Sequence, residues 1–257
     1  MNITLAIGLA VAVAPQLASA EVRITELMYE GTGLPSYEYR ANGTVNDKII
    51  DDKREFFEIT NLGDSAVDLD GWYYNDNNVN DPVAFGSAVG QLAAGESLVL
   101  TEMNVADFRT AWGLADTVKV FSIGGRSNMG KGDTLNIYAG DGSVIDSVTY
   151  DTSFTPASGT SYNRPFPGTL TSATADDWLR SVVGDAYGSH LTNDLPLKSY
   201  GVLEADGITI HEAFETTPRH DLGNPGFYAV ATVPEPGGWA MLLAGIGLIG
   251  ATARRRA

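Results

Sequence analysis

Oxygen-bearing side chains are densest between residues 68 and 81, where Asp68, Asp70, Asn75, Asp76, Asn77, Asn78, Asn80 and Asp81 crowd together. Calcium takes six to eight oxygen ligands, so Asp68, Asp70, Asp76 and Asp81 are candidate calcium-binding carboxylates. The spacing departs from the EF-hand loop, which needs a glycine at its sixth position and a glutamate at its twelfth. Asp and Asn also build turns by bonding their own backbone, and a solvated turn explains the same residues. Histidine is scarce: His190, His211 and His220 are the three in the chain. In His211-Glu212 and His220-Asp221 a base adjoins a carboxylate, so a hydrolase would use His211 or His220. Neighbours on a strand point to opposite faces, however, and neither pair builds a site by itself. The chain has no Gly-x-Ser-x-Gly elbow, no His-Glu-x-x-His helix and no phosphate loop. Carboxylates are numerous, and nothing in their spacing says which of them lie together. Tyr37, Tyr39, Tyr73 and Tyr74 have the chemistry to stack on sugar rings, although alternation along a strand buries one of each pair.

The elements that must carry these groups read as strands. Period-two patterns bounded by Gly, Asn and Asp predict strands over Val22–Tyr29, Phe56–Thr60, Ser97–Thr101, Val118–Ile123, Thr134–Ala139 and Val144–Tyr150. Asp141-Gly142 predicts a tight hairpin, and Asp206-Gly207 predicts another between Tyr200–Leu203 and Ile208–Ile210. Asn61 and Gly63 are expected to supply left-handed backbone after the second strand. Asp70-Gly71 is expected to turn Trp72 into the core. One helix is expected, capped by Asn104, with Val105, Phe108 and Trp112 on one face and Gly113 ending it. It reads as a lid over one end of a sandwich. Residues 152–174, rich in Ser, Thr, Pro and Gly, read as irregular. Many short strands joined by tight turns, with no repeat of fixed period, mean an all-β sandwich or barrel.

Composition narrows the partners. The 257-residue chain carries 32 acidic against 16 basic residues, a net charge of −16 at pH 7. Such a field repels phosphate backbones, which argues against a nucleic-acid partner. With no cysteine, thiol nucleophiles, thiolate metal sites and disulfides are excluded, and stability must come from the packed core.

Both ends read as targeting segments. Ile3–Val13 is apolar, and Ala18-Ser19-Ala20 offers the small residues that a signal peptidase cuts after, although no Lys or Arg precedes the run. At the other end, Val233-Pro234-Glu235-Pro236 leads into an uncharged stretch, Gly237–Ala253, followed by Arg254-Arg255-Arg256. Seventeen helical residues reach about 25 Å, barely enough for a thin bilayer core. The arginines would stay in the cytoplasm, leaving everything before Pro234 outside. This order of triplet, apolar segment and basic cluster resembles the PEP-CTERM sorting signal of Gram-negative bacteria. The resemblance implies an exosortase that cuts at the triplet.

A second resemblance covers the body. Ile24-Thr25-Glu26-Leu27-Met28, Glu55-Phe56-Phe57-Glu58-Ile59-Thr60-Asn61-Leu62-Gly63 and Val67-Asp68-Leu69-Asp70-Gly71-Trp72 look like the opening of a lamin tail domain. Leu92 to Leu100, Gly132-Asp133-Thr134-Leu135 and Asp141 to Tyr150 follow in that family's order. Trp178 and Leu222-Gly223-Asn224-Pro225-Gly226 resemble its C-terminal edge. The resemblance implies an immunoglobulin-like β-sandwich, here with insertions near 31–52 and 190–217. The expected layout is a signal peptide (1–20), a sandwich (21–228), a linker with the triplet (229–236), a transmembrane helix (237–253) and an Arg-rich end (254–257). The function expected is that of an exported, non-enzymatic cell-surface or extracellular-matrix protein, anchored in the inner membrane until processed. Its alternatives are a calcium-dependent carbohydrate-binding module and a secreted hydrolase. Exosortase and signal peptidase are the expected processing partners, and extracellular polysaccharide the expected ligand class.

Overall fold

The computed structural model describes residues 21–50, 54–126, 129–130, 132–151, 159–165, 172–173 and 176–228. The expected signal peptide, linker, transmembrane helix and Arg-rich end lie outside the described residues. Among those described, no helix is long and apolar enough to cross a membrane.

In chain order the elements are β1 (Val22–Met28), β2 (Leu34–Tyr39), β3 (Val45–Ile50), β4 (Phe56–Asn61), β5 (Val67–Asp68), β6 (Tyr73–Asn75), β7 (Val83–Ala84), α1 (Gly86–Val89), β8 (Gln91–Leu92), β9 (Ser97–Thr101) and α2 (Val105–Trp112). They continue with β10 (Lys119–Ser122), β11 (Asp133–Tyr138), β12 (Val144–Tyr150), β13 (Tyr162–Asn163), β14 (Ser172–Ala173), β15 (Leu179–Arg180), β16 (His190–Leu191), β17 (Ser199–Leu203), β18 (Ile210–Phe214) and β19 (Leu222–Gly223).

Two sheets form the sandwich, ordered β10-β9-β4-β1-β13-β15 and β14-β12-β11-β6-β7. The β9–β10 and β12–β14 neighbours are parallel and the remaining pairs antiparallel. Every strand expected between Val22 and Tyr150 lies in one of these sheets. Alternation sends Ile24, Leu27, Phe57, Ile59, Leu98 and Leu100 inward from the first, against Tyr74, Leu135, Ile137 and Val148 of the second, all without exposed surface. Each such side chain contributes about 1.5–3 kcal/mol by leaving water. The turn before β6 works as its sequence suggests: Gly71 takes φ 75°, and the Trp72 N–H donates to the Leu69 carbonyl at 2.9 Å. Its side chain joins the core.

Four expectations change in detail. The turn after β4 is held by the Asn61 amide, whose Nδ2 donates to the Ser65, Leu92 and Ala93 carbonyls at 2.7–3.1 Å while Oδ1 accepts the Gly63 N–H at 3.0 Å. The helix α2 has its expected caps, with Asn104 accepting from Asp107 N–H and Gly113 at φ 65°. It lies on the outer face of the first sheet rather than over an end, because Met28, Phe56 and Val99 present an apolar patch there that Phe108, Ala111 and Trp112 cover. Within 152–174, Tyr162–Asn163 and Ser172–Ala173 pair as strands. In the second hairpin β18 starts at Ile210, because the Asp206 carboxylate caps the N–H groups of Ile208 and Thr209 and lengthens the turn.

One irregularity decides which residues reach the outer face. Strict alternation from Val22 and Ile24 would point Glu26 into the core. A β-bulge between Ile24 and Glu26 sets Thr25 and Glu26 together opposite Glu58, so Leu27 and Tyr29 turn inward and Glu26 turns out.

Candidate functional site

Two arrangements gather chemistry outside the sandwich core. In the first, the two insertions, far apart in sequence, meet. Hairpin β2–β3 comes from the first and hairpin β17–β18 from the second. Their roots share a buried ion pair: Arg54, just past the first insertion, donates from Nε to Oδ2 of Asp221, just past the second, at 2.5 Å. Both side chains are buried, and Arg54 also donates to the Thr32 carbonyl. The same Asp221 accepts the Thr32 N–H at 2.7 Å, and Arg219 reaches the Thr32 carbonyl at 2.8 Å. Farther out, the Gly201 N–H donates to Ser36 Oγ at 2.8 Å and Tyr39 Oη to the Ile208 carbonyl at 2.7 Å. A Cβ at Gly201 would sit 2.1 Å from the Tyr37 carbonyl oxygen, so only glycine permits this approach. The joined hairpins form an arm that exposes Ile49, Ile208 and Phe214, the last two by about two-thirds. A groove of about 430 Å³ runs beside its root, between α2 and residues 193–198, lined by Met103, Asp107, Ala111, Leu195, Lys198 and Arg54.

The second arrangement is polar and fully enclosed. Glu26 and Glu58 are directly paired across β1 and β4, and neither has exposed surface. Glu26 Oε1 accepts from Ser161 Oγ at 2.5 Å and from the Asn224 N–H at 2.9 Å; its Oε2 meets no hydrogen-bond partner among the described residues. Glu58 Oε1 accepts from the hydroxyls of Thr25 (2.9 Å) and Thr60 (3.1 Å), and Oε2 from the Gly226 N–H at 2.6 Å. Around them Ser161 meets Ser181, Asn163 bonds both Ser181 and Asn224, and Thr60 meets Ser97. The two ends of residues 181–228, at Ser181 and at Asn224 to Gly226, therefore close over the outer face of the first sheet through this network, while residues 199–214 between them belong to the arm. Burial holds the Glu26 carboxyl well above the usual range, and the neighbouring Glu58 charge raises it further. Burial likewise pushes Glu58 up to about 7 against the lowering effect of its donors. Two carboxylates this close in low dielectric cannot both ionise cheaply, so the pair retains a proton near neutral pH.

Residues singled out by their chemistry are dispersed. Asp68 Oδ1 accepts the Asp70 N–H, Asp70 accepts from Ser87 Oγ, Asp76 accepts the Asn78 N–H, and Asp81 pairs with Arg126. Their oxygens thus serve turns and one surface ion pair. Among the described residues, no group of three or more His, Asp and Glu side chains is placed to hold a metal ion. His211 lies beside Glu204 on the arm at 2.7 Å, His220 Nδ1 is 2.9 Å from the Thr192 carbonyl oxygen, and His190 packs edge-on against Trp112, so the three do not converge. Tyr74 is buried and Tyr73 stacks on Tyr138 with ring centres 4.8 Å apart, while Tyr39 remains half exposed. Val233, Pro234, Glu235, Pro236, Arg254, Arg255 and Arg256, like Ala18 and Ala20, lie outside the described residues. Sequence reasoning passed over Glu26 and Glu58, although both stand inside quoted motifs. A glutamate inside an otherwise uncharged strand core, Ile24-Thr25-Glu26-Leu27-Met28 and Phe56-Phe57-Glu58-Ile59, was the available signal.

The family model described as Lamin Tail Domain matches residues 15–152, and that of the PEP-CTERM protein-sorting motif matches residues 232–256. The latter motif marks exported, surface-associated substrates of exosortase, with membrane anchoring before processing. Among solved structures, a DUF4876 family protein from Bacteroides thetaiotaomicron is similar over 84% of this chain and 73% of its own, at 12% identity and a TM-score of 0.33. No curated protein matches the chain. The lamin tail match ends at residue 152, yet β13 and β15 beyond it complete the first sheet. With a mostly-β sandwich, few helices and a match across more than half its length, the chain belongs to the lamin tail domain family.

Proposed function

We propose that this is a non-enzymatic surface or extracellular-matrix module, held at the inner membrane by its C-terminal segment until exosortase cuts at Pro234-Glu235-Pro236. It then contacts extracellular polysaccharide through the arm. The observation that carries the reading is the docking of the two insertions: segments from distant parts of the chain are fixed to each other and to the sandwich by Arg54–Asp221, Ser36–Gly201 and Tyr39–Ile208. A rigid scaffold holding adaptable loops is where binding residues concentrate. Half-exposed Tyr39 supplies a ring face on the arm, and elsewhere on the arm the Lys48–Glu38 and His211–Glu204 pairs supply polar groups.

Two experiments test this reading. Deleting exosortase should leave uncut precursor in the inner membrane; mature protein of unchanged mass in that strain would refute the sorting part. Phe214→Ala with Tyr39→Ala should lower retention in the polysaccharide matrix fraction several-fold while the processed mass stays the same. Equal retention would remove the arm as the contact surface.

A further inference from the structure

We propose that Glu26 and Glu58 form a proton-loaded clasp that fastens the end of the closing segment, residues 224–228, to the outer face of the first sheet and lets it go when the proton is lost. The geometry sets the terms. Both carboxyl groups have no exposed surface, stand opposite each other on paired strands, and grip the closing segment by its backbone at Asn224 and Gly226. Their remaining donors are hydroxyls of Thr25, Thr60 and Ser161, which are neutral. One oxygen, Glu26 Oε2, is buried without a hydrogen-bond partner among the described residues. A protonated carboxyl tolerates that enclosure, whereas two carboxylates there would repel each other and lack solvation.

The surrounding charges do not relieve the repulsion. Asp185, in the turn of residues 182–189, adds a further negative charge that raises the Glu26 carboxyl, and its own oxygens bind Val182 and Ser189 N–H. Tyr187 and Tyr228 pack together beside it, and the Tyr228 phenol is held above its ordinary value chiefly by burial, so it stays neutral. The nearby Arg164 is engaged by Asp146 at 2.7 Å and lies over Trp178. On the helix side, His190 packs on Trp112, whose ring edge approaches Gly223.

The location gives the clasp its consequence. Tyr228 is separated from Pro234 by residues 229–233 alone. At about 3.5 Å per extended residue, that is at most about 20 Å of chain. Release of Asn224–Tyr228 lengthens the chain between the last fastened residue and the sorting triplet, so the clasp sets how far from the fold a processing enzyme meets it. This last step rests on the proposed exosortase cleavage; the clasp itself does not.

The test uses the full-length protein in detergent micelles. Carbon-13 carboxyl signals of Glu26 and Glu58 should titrate together with at least one apparent midpoint at or above about 7, and a protease should cut within residues 181–228 several-fold faster at pH 8.5 than at pH 6 after correction for its own pH profile. Glu58→Gln and, as a second variant, Glu26→Gln should each weaken that pH dependence and slow the cutting at pH 8.5. Carboxyl midpoints both near 4.5, or identical pH dependence in wild type and both variants, would overturn the clasp. Should the variants fail to fold, the wild-type carboxyl titration decides alone. In cells, processing that ignores external pH while the titration holds would remove only the link to cleavage.

Discussion

One face of the first sheet is covered in two different ways, and the difference shows what each half can do. Under α2, Met28, Phe56 and Val99 meet Phe108, Ala111, Trp112 and Leu195, with Phe56 edge-on to Phe108 at 5.5 Å and to Trp112 at 5.6 Å. Beside them, Glu26, Glu58, Ser161 and Asn163 meet the closing segment through hydrogen bonds, with Thr60 and Ser97 backing Glu58. The apolar half is held by area removed from water, which does not change with pH. The polar half is held by bonds whose net worth is about 1 kcal/mol each and whose loss leaves buried groups unsatisfied. A helix sits permanently on the first. The second depends on the protonation of two carboxyl groups.

The largest effect should come from the apolar half. Trp112→Ala removes a fully covered ring from between Phe56, Phe108 and Leu195 and should cost about 3–5 kcal/mol in denaturant unfolding, equally at pH 5.5 and 8.5. A clear pH dependence of that loss would blur the contrast between the halves. Next in size is the pH profile of the wild type. A carboxyl bound more tightly to its proton in the folded than in the unfolded chain stabilises the fold fully below about 4.5 and loses that contribution as pH rises through about 7. Shifts of this size correspond to about 3 kcal/mol for Glu58, so thermal unfolding should occur at a lower temperature at pH 8.5 than at pH 5.5. A flat profile in wild type, or an equal decline in Glu58→Gln, would contradict the assignment. Ser161→Ala strips one donor from Glu26 and should cost about 1–2 kcal/mol, more at high pH than at low. The smallest effect is expected at the helix cap, where Asn104→Ala should cost about 1 kcal/mol at any pH.

The apolar half was readable in the sequence, because Asn104, Phe108, Trp112 and Gly113 spell a capped helix with one apolar face, and alternation placed the core strands. The polar half was not. Period-two reading puts Glu26 inward with Val22 and Ile24, and the bulge that reverses it leaves no mark in residue type. Pairing of Glu26 with Glu58 is a register fact between strands separated by an insertion. The same holds for Arg54 and Asp221, which meet across 167 positions. For the oxygen-rich stretch from Asp68 to Asp81, composition suggested a ligand set, whereas its side chains bond neighbouring N–H groups, a hydroxyl and Arg126, as turn-forming residues do. The sorting triplet and its flanks, by contrast, are legible in sequence alone.

The contrast between the halves is tested most directly by amide hydrogen exchange of the full-length protein from pH 5.5 to 8.5, corrected for the chemical exchange rate. Protection at Asn224 and Gly226 should fall by up to about tenfold per pH unit as pH rises from 5.5 to about 7 and level off where Glu58 has lost its proton, while protection at Phe108 and Trp112 stays constant. Parallel loss at both places, or none at either, would contradict the account.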